Sequence, residues 1–311
     1  MLATTFDPAL LSFSGHETFI LRSHWLKKAY DLLRTQPDLF FLEDAFVRLG
    51  VGKNMAHSIR YWGRVCHVFE RSEDGASYRP TWLGDALLAD DQGWDPFLVT
   101  PTSRWLLHWQ ICAGSAAVFT WFFTFNMLRR GEFSSSQLAQ QVSHVLAQIG
   151  AKVPSAATLG RDIDCMLRCY VRPSATLRGA PLEESLQCPL HDLELIQILP
   201  GQGTYRLAGG AHADLPDQLV ALAAWFQARH LGRATLAFND LAYAERSPGR
   251  VFRLDEDSLL TRLLHMEQIT QGQATFSESG GIRQLAWRNL EDAAYPRELL
   301  QAAFAQERHY V

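Results

Sequence analysis

Residues 52–69, GKNMAHSIRYWGRVCHVF, divide into two faces when read at ~100° per residue, the helical repeat. Met55, Ile59, Trp62, Cys66 and Phe69 fall within ~40° of one line and make an apolar stripe. Lys53, His57, Arg60, Arg64 and His67 fall within ~60° of the opposite line, with no acid among them. The run before it, FFLEDAFVRLGVG, reads as a short helix closed by a glycine turn at Gly50 and Gly52. Short helix, turn and basic amphipathic helix spell a helix-turn-helix, whose second helix enters the DNA major groove. The pattern therefore predicts a DNA-contacting face of Lys53, His57, Arg60 and Arg64, flanked by Asn54 and Tyr61, with Trp62 in the core. A solvated basic surface helix is the plainer alternative.

The same plan recurs along the chain. In the first unit, helices are expected at Ser23–Leu33, Leu42–Leu49 and Lys53–Phe69, followed by a hairpin in VFERSEDGASYRPTWLG that turns at SEDG. The second unit opens with a long helix over 104–129 and continues with SSSQLAQQVSHVLAQIG behind a serine cap. SAATLGRDIDCMLRCYV and a hairpin in LELIQILPGQGTYRL complete it. The third runs LPDQLVALAAWFQARH, LAFNDLAYAE, DEDSLLTRLLHMEQIT and the hairpin QATFSESGGIRQLAW. The fold class expected is mainly α with small β-hairpins: tandem winged helix-turn-helix units, 1–100, 101–211 and 212–311, around a long central helix. The third helices differ in surface. That of the second unit places Leu159, Ile163, Leu167 and Tyr170 inward and Thr158, Arg161, Cys165 and Arg168 opposite, flanked by Asp162 and Asp164. That of the third opens on Asp255, Glu256 and Asp257, which suit the helix dipole but repel phosphate. The third unit thus reads as a packing or protein-binding module.

Composition narrows this little. An apolar share of 47% and a charged share of 20% describe an ordinary globular chain. Net charge of −4 leaves no global basic field, so nucleic acid must be met by a local patch. Five cysteines in no paired framework, and an N-terminus without a secretory pattern, point to a reducing cytoplasm. Residues 105–128 have the length of a membrane span. His108, Gln110, Thr120, Thr124 and Asn126 interrupt them, so a helix buried within the protein is expected instead.

Four stretches, SGHETFILRSHWLKK (14–28), LGVGKNMAHSIRYW (49–62), GWDPFL (93–98) and WLLHWQ (105–110), together resemble a bacterial family catalogued as a domain of unknown function. A looser likeness continues through RDIDCMLRCYV (161–171) and SLQCPLHDLELI (185–196). Members of that family sit in gene clusters for DNA phosphorothioation and phage defence, and the SspB-type component is its named representative. The resemblance implies double-stranded DNA as ligand and a cysteine desulfurase, an ATPase and a sulfur-transferring pyrophosphatase as partners. It also implies DNA nicking; no cofactor is assigned, a divalent metal being expected only if the chain is a nuclease.

The residues alone give nicking little support. No lysine stands two residues after an acid, and no two-metal acidic triad stands out. LGVGKN lacks the spacing of a phosphate-binding P-loop. Among the motif residues, His16 is the candidate general base or metal ligand, with Glu17 as its carboxylate partner. Against that stands a capping and ion-pair network of His16, Glu17 and Arg22 at the first helix, which is the reading preferred here. Asp95 reads as a turn or cap residue, and His108 as a satisfied core histidine. Cys165, Cys169, Cys188 and His191 have partly ligand-like spacing, but scattered cysteines remain the simpler reading and no metal site is assigned. A non-catalytic winged-helix regulator or scaffold is the competing function, and as a regulator it should be a two-fold homodimer on a palindromic site.

Overall fold

The computed structural model describes residues 11–113, 118–172, 188–201 and 203–307. From the N-terminal end run α1 (Ser23–Thr35), α2 (Ala45–Arg48), α3 (Lys53–Val65), β1 (Phe69–Arg71), β2 (Tyr78–Pro80) and α4 (Trp82–Leu88). Next come α5 (Pro101–Ala113), α6 (Phe119–Phe122), a π-helical turn (Phe123–Met127), β3 (Glu132–Ser134), α7 (Ser135–Gln148) and α8 (Ala156–Tyr170). A 3-10 turn (Pro189–Leu193), β4 (Ile196–Leu199) and β5 (Thr204–Leu207) follow. The last stretch holds α9 (Asp217–Leu231), β6 (Thr235–Ala237), α10 (Phe238–Tyr243), α11 (Pro248–Val251), α12 (Glu256–Leu264) and α13 (Met266–Ile269). It ends with β7 (Ala274–Ser279), β8 (Ile282–Trp287) and α14 (Tyr295–Glu307). The fold is mainly α with small antiparallel sheets.

Local chemistry explains several boundaries. Ser134 and Gln137 form a reciprocal capping box that opens α7, satisfying two backbone donors the helix leaves free. Ser155 and Asp255 cap α8 and α12 in the same way with one bond each. The Ser279↔Ile282 pair closes a two-residue hairpin. Its turn needs positive φ at both central positions, which Gly280 and Gly281 supply. The strand orders β3-β5-β4 and β6-β8-β7 are alike: each hairpin's last strand is also paired with the short strand before the preceding helices.

The long helix expected over 104–129 is interrupted. Helix α5 ends at Ala113, Val118 is non-helical (φ −79°, ψ 77°), and α6 and the π-helical turn follow. Asn126 reaches back to donate its amide to Cys112 O at 2.9 Å and Phe122 O at 3.0 Å. Its own oxygen accepts Arg246 N at 2.7 Å. A buried amide seeking three partners is met by a folded-back chain and not by a straight helix. Among the described residues, no helix is long and apolar enough to cross a membrane.

One continuous apolar core runs from Ile20 to Phe304. Trp25, Trp62, Trp105, Trp121 and Trp225 are fully buried within it and supply much of its contact area.

Candidate nucleic-acid interface

Helix α3 has the two faces its periodicity predicts. Ala56, Ile59, Trp62 and Val65 are buried, and Trp62 also donates its indole N–H to Phe19 O at 3.0 Å. Cys66 and Phe69 continue the stripe into the core, while Met55 is only half-buried against it. On the other side Lys53, Asn54 and Arg64 are exposed and His57 and Arg60 are half-buried. Lys53, His57 and Arg60 line a concavity of about 390 Å³ between α2 and α3, together with Glu43. The helix begins at Gly52 without a side-chain cap and without an acid in its first turn. Free backbone N–H groups and the positive end of the dipole therefore face solvent beside Lys53.

These basic side chains are unengaged: among the described residues Lys53, His57, Arg60 and Arg64 make no ion pair with an acid. A neighbouring cleft of about 890 Å³ shows the contrast. It is lined by Lys27, Arg48, Arg104 and Arg172. There Lys27 bonds both Asp31 and Asp90, Arg48 bonds Asp44, and Arg104 and Arg172 share Asp192. Internal acids neutralise most of that cleft. They leave the α3 face alone.

Tyr61 does not flank this face. Its ring lies over Gly15 so closely that a Cβ there would come within 2.5 Å of it. The ring meets His16 edge-on at 5.9 Å, the hydroxyl is buried, and burial pushes the phenol pKa well up. At ~100° per residue Tyr61 sits on the border between faces, and residues 14–19 cover that border.

Those residues form a strap between α3 and α8. Ser14, Glu17 and Thr18 all adopt positive φ (57°, 50° and 66°), a backbone that non-glycine residues keep only when their surroundings enforce it. Asp162, on α8, is what enforces it. It accepts Ser14 N at 2.6 Å, His16 Nε2 at 2.9 Å and the Thr120 hydroxyl. His16 Nδ1 accepts Thr18 N at 3.0 Å, so the ring proton sits on Nε2 and points at Asp162. Arg168 closes the strap by donating to Thr18 O at 2.7 Å.

His16 is fully buried among Tyr61, Trp62 and Trp121, with both nitrogens engaged. Its carboxylate partner is Asp162 and not Glu17, which is exposed. Nor does it cap α1, which starts after Arg22 with no side-chain cap. The spacing of α8 put Cys165 outward and Asp162 on a flank, yet both are buried, because the strap covers that side of the helix.

The remaining polar motif residues are engaged internally. Asp95 accepts Thr100 N at 2.8 Å and the Ser103 hydroxyl at 2.7 Å, fixing the start of α5. His108 donates Nε2–H to Val251 O and accepts the Tyr170 hydroxyl, each at 2.7 Å. Burial lowers its pKa to about 4. The Cys165 thiol donates to Phe19 O at 3.4 Å, that of Cys188 to Cys169 O at 3.2 Å, and His191 Nε2–H to Arg168 O at 2.8 Å. Among the described residues no group of three or more His, Cys, Asp or Glu side chains is placed to hold a metal ion.

Helix α12 of the last stretch carries chemistry opposite to that of α3. Helix α12 is opened by Asp255 with Glu256 and Asp257 in its first turn, and its Arg262 is held by Asp217.

The family model described as "Protein of unknown function (DUF4007)" matches residues 13–304. The chain belongs to that family. It is similar to a solved structure described as "SspB crystal structure", with 30% identity, a TM-score of 0.82, and coverage of 95% of this chain and 87% of that one. A second, "Magnesium ion-bound SspB crystal structure", is 28% identical with a TM-score of 0.80, covering 96% and 97% of the two chains. No curated protein matches the sequence.

Proposed function

We propose that this DUF4007 protein is the DNA-binding component of a bacterial DNA phosphorothioation system and docks duplex DNA on the exposed face of α3. The observation that carries the reading is the set of unengaged basic side chains on that face, Lys53, His57, Arg60 and Arg64, beside an uncapped helix N-terminus. Arginines without internal acids are suited to forked contacts with phosphate and guanine. The likeness to SspB supports the assignment to such a system, with a cysteine desulfurase, an ATPase and a sulfur-transfer protein as partners.

In this reading the three stretches are winged helix-turn-helix units with boundaries near residues 100 and 212. The matching strand orders β3-β5-β4 and β6-β8-β7 support it. Only the first unit presents a basic third helix. Strand opening by nicking belongs to the same proposal, and the magnesium-bound relative suggests the ion for it. With no cluster of three protein ligands among the described residues, magnesium would be held by one or two carboxylates together with water and DNA phosphate.

Supercoiled plasmid incubated with the purified chain, with and without Mg²⁺, tests nicking. Duplex binding across a salt series tests docking. Retention of full duplex affinity by an Arg60→Ala, Arg64→Ala variant would remove α3 as the interface. A two-fold dimer bound to one palindromic sequence would favour the regulator instead.

A further inference from the structure

A second basic concavity, of about 670 Å³, lies where the second and third stretches meet. Arg129 and Arg130 reach it from the chain after the π-helical turn, Gln140 and His144 from α7, and Tyr243 and Arg250 from α10 and α11. Among the described residues Arg129 and Arg130 bond no acid, and Arg250 bonds only the carbonyls of Tyr243 and Leu128, at 3.2 and 3.4 Å. Partial burial and the nearby Arg129 cation lower the Arg250 pKa, and both side chains line this space. One acid, Glu245, also lines it; burial raises its pKa, while Arg246 and Arg250 act to lower it.

Three guanidinium groups against one carboxylate leave the concavity net positive, which favours an anionic ligand. Three guanidinium groups, a side-chain amide and an imidazole offer hydrogen-bond donors converging on one space. Tyr243, half exposed, adds an aromatic ring beside them. We infer that this concavity is a phosphate-binding site that holds the backbone of the same DNA engaged by α3, as a second, sequence-independent contact. The inference rests on the reading that the protein binds DNA. A phosphodiester fits better than an acidic protein segment, because forked guanidinium donors flanked by neutral donors match a phosphate's oxygens.

The test is anisotropy of a short fluorescein-labelled duplex across a KCl series. An Arg129→Ala, Arg130→Ala variant should melt like the parent while its log K against log salt slope falls by about two, near 0.9 per lost phosphate contact. Arg288→Ala, an exposed arginine elsewhere, should leave the slope unchanged. A cleft variant indistinguishable from the Arg288 control overturns the inference and leaves the α3 reading standing. A cleft variant that keeps its DNA slope but loses binding to poly-L-glutamate also overturns it, and assigns the site to an acidic protein. Loss of slope in the cleft variant with none in the Arg60→Ala, Arg64→Ala variant overturns the inference of a second contact and makes the cleft, in place of α3, the DNA site. A parent that binds no duplex overturns both.

Discussion

The strap at residues 14–19 packs on α3 through Tyr61 and Trp62, yet it and the outer face of that helix treat polar groups in opposite ways. In the strap, His16 has both ring nitrogens engaged, and Asp162 accepts three donors. On α3, four basic side chains stand without an acidic partner. The strap's polar groups are consumed by folding. Those of α3 are left over, and leftover charge is what a ligand recognises. Both regions belong to the motifs that carry the family resemblance, so motif membership alone does not say which residues meet a ligand.

The largest effect should come from the floor beneath both regions. Trp62→Ala removes a fully buried indole that also bonds the strap at Phe19 O, and should cost about 3–5 kcal/mol. Denaturant unfolding measures it. A stable Trp62→Ala protein that has lost DNA binding would reverse the two faces of α3.

His108 tests the consumed class by pH. Its folded pKa of about 4 lies below the ordinary 6.5, so the unfolded chain binds a proton that the folded one refuses. Stability from this group is full above pH 6.5 and lost as pH falls toward 4, at up to roughly 1.4 kcal/mol per unit. Melting temperature followed down this window should fall. A flat profile would show that this histidine is not held neutral by the core.

His16→Ala leaves the buried Asp162 short of a donor and should cost about 1–3 kcal/mol. Any plasmid relaxation by the folded fraction should persist. Melting and relaxation measured on one preparation decide the matter: an unchanged melting temperature with lost nicking would make His16 catalytic and break the contrast.

Arg60→Ala and Arg64→Ala should change stability least, by less than about 0.5 kcal/mol. Each should lower the salt slope of duplex binding by about one. Loss of stability without change in slope would mean that these arginines, too, are consumed by the fold.

Much of the architecture was legible because its causes are local. Helical repeat, the Ser134 cap and the Gly280–Gly281 turn act within a few residues, and periodicity separated the faces of α3 correctly at Lys53, His57, Arg60, Trp62 and Arg64. Where a second element covers a helix on its polar side, the same rule failed. Tyr61 was read as flanking the basic face and Cys165 as outward, because nothing near them in sequence announces the strap that covers them. The break between Ala113 and Phe119 was hidden in an apolar run long enough for one helix, where Asn126 was one of five polar residues that interrupt it.

The sequence by itself determined the helices, their caps and the basic stripe of α3, because those follow from spacing along one element. Only the tertiary structure decided which polar groups remain free. Asp162 lies 146 residues from His16, and Arg250 follows Arg129 by more than a hundred. A charge is neutralised or left bare by whatever the fold brings within a few ångströms of it, and Coulomb attraction takes no account of separation along the chain.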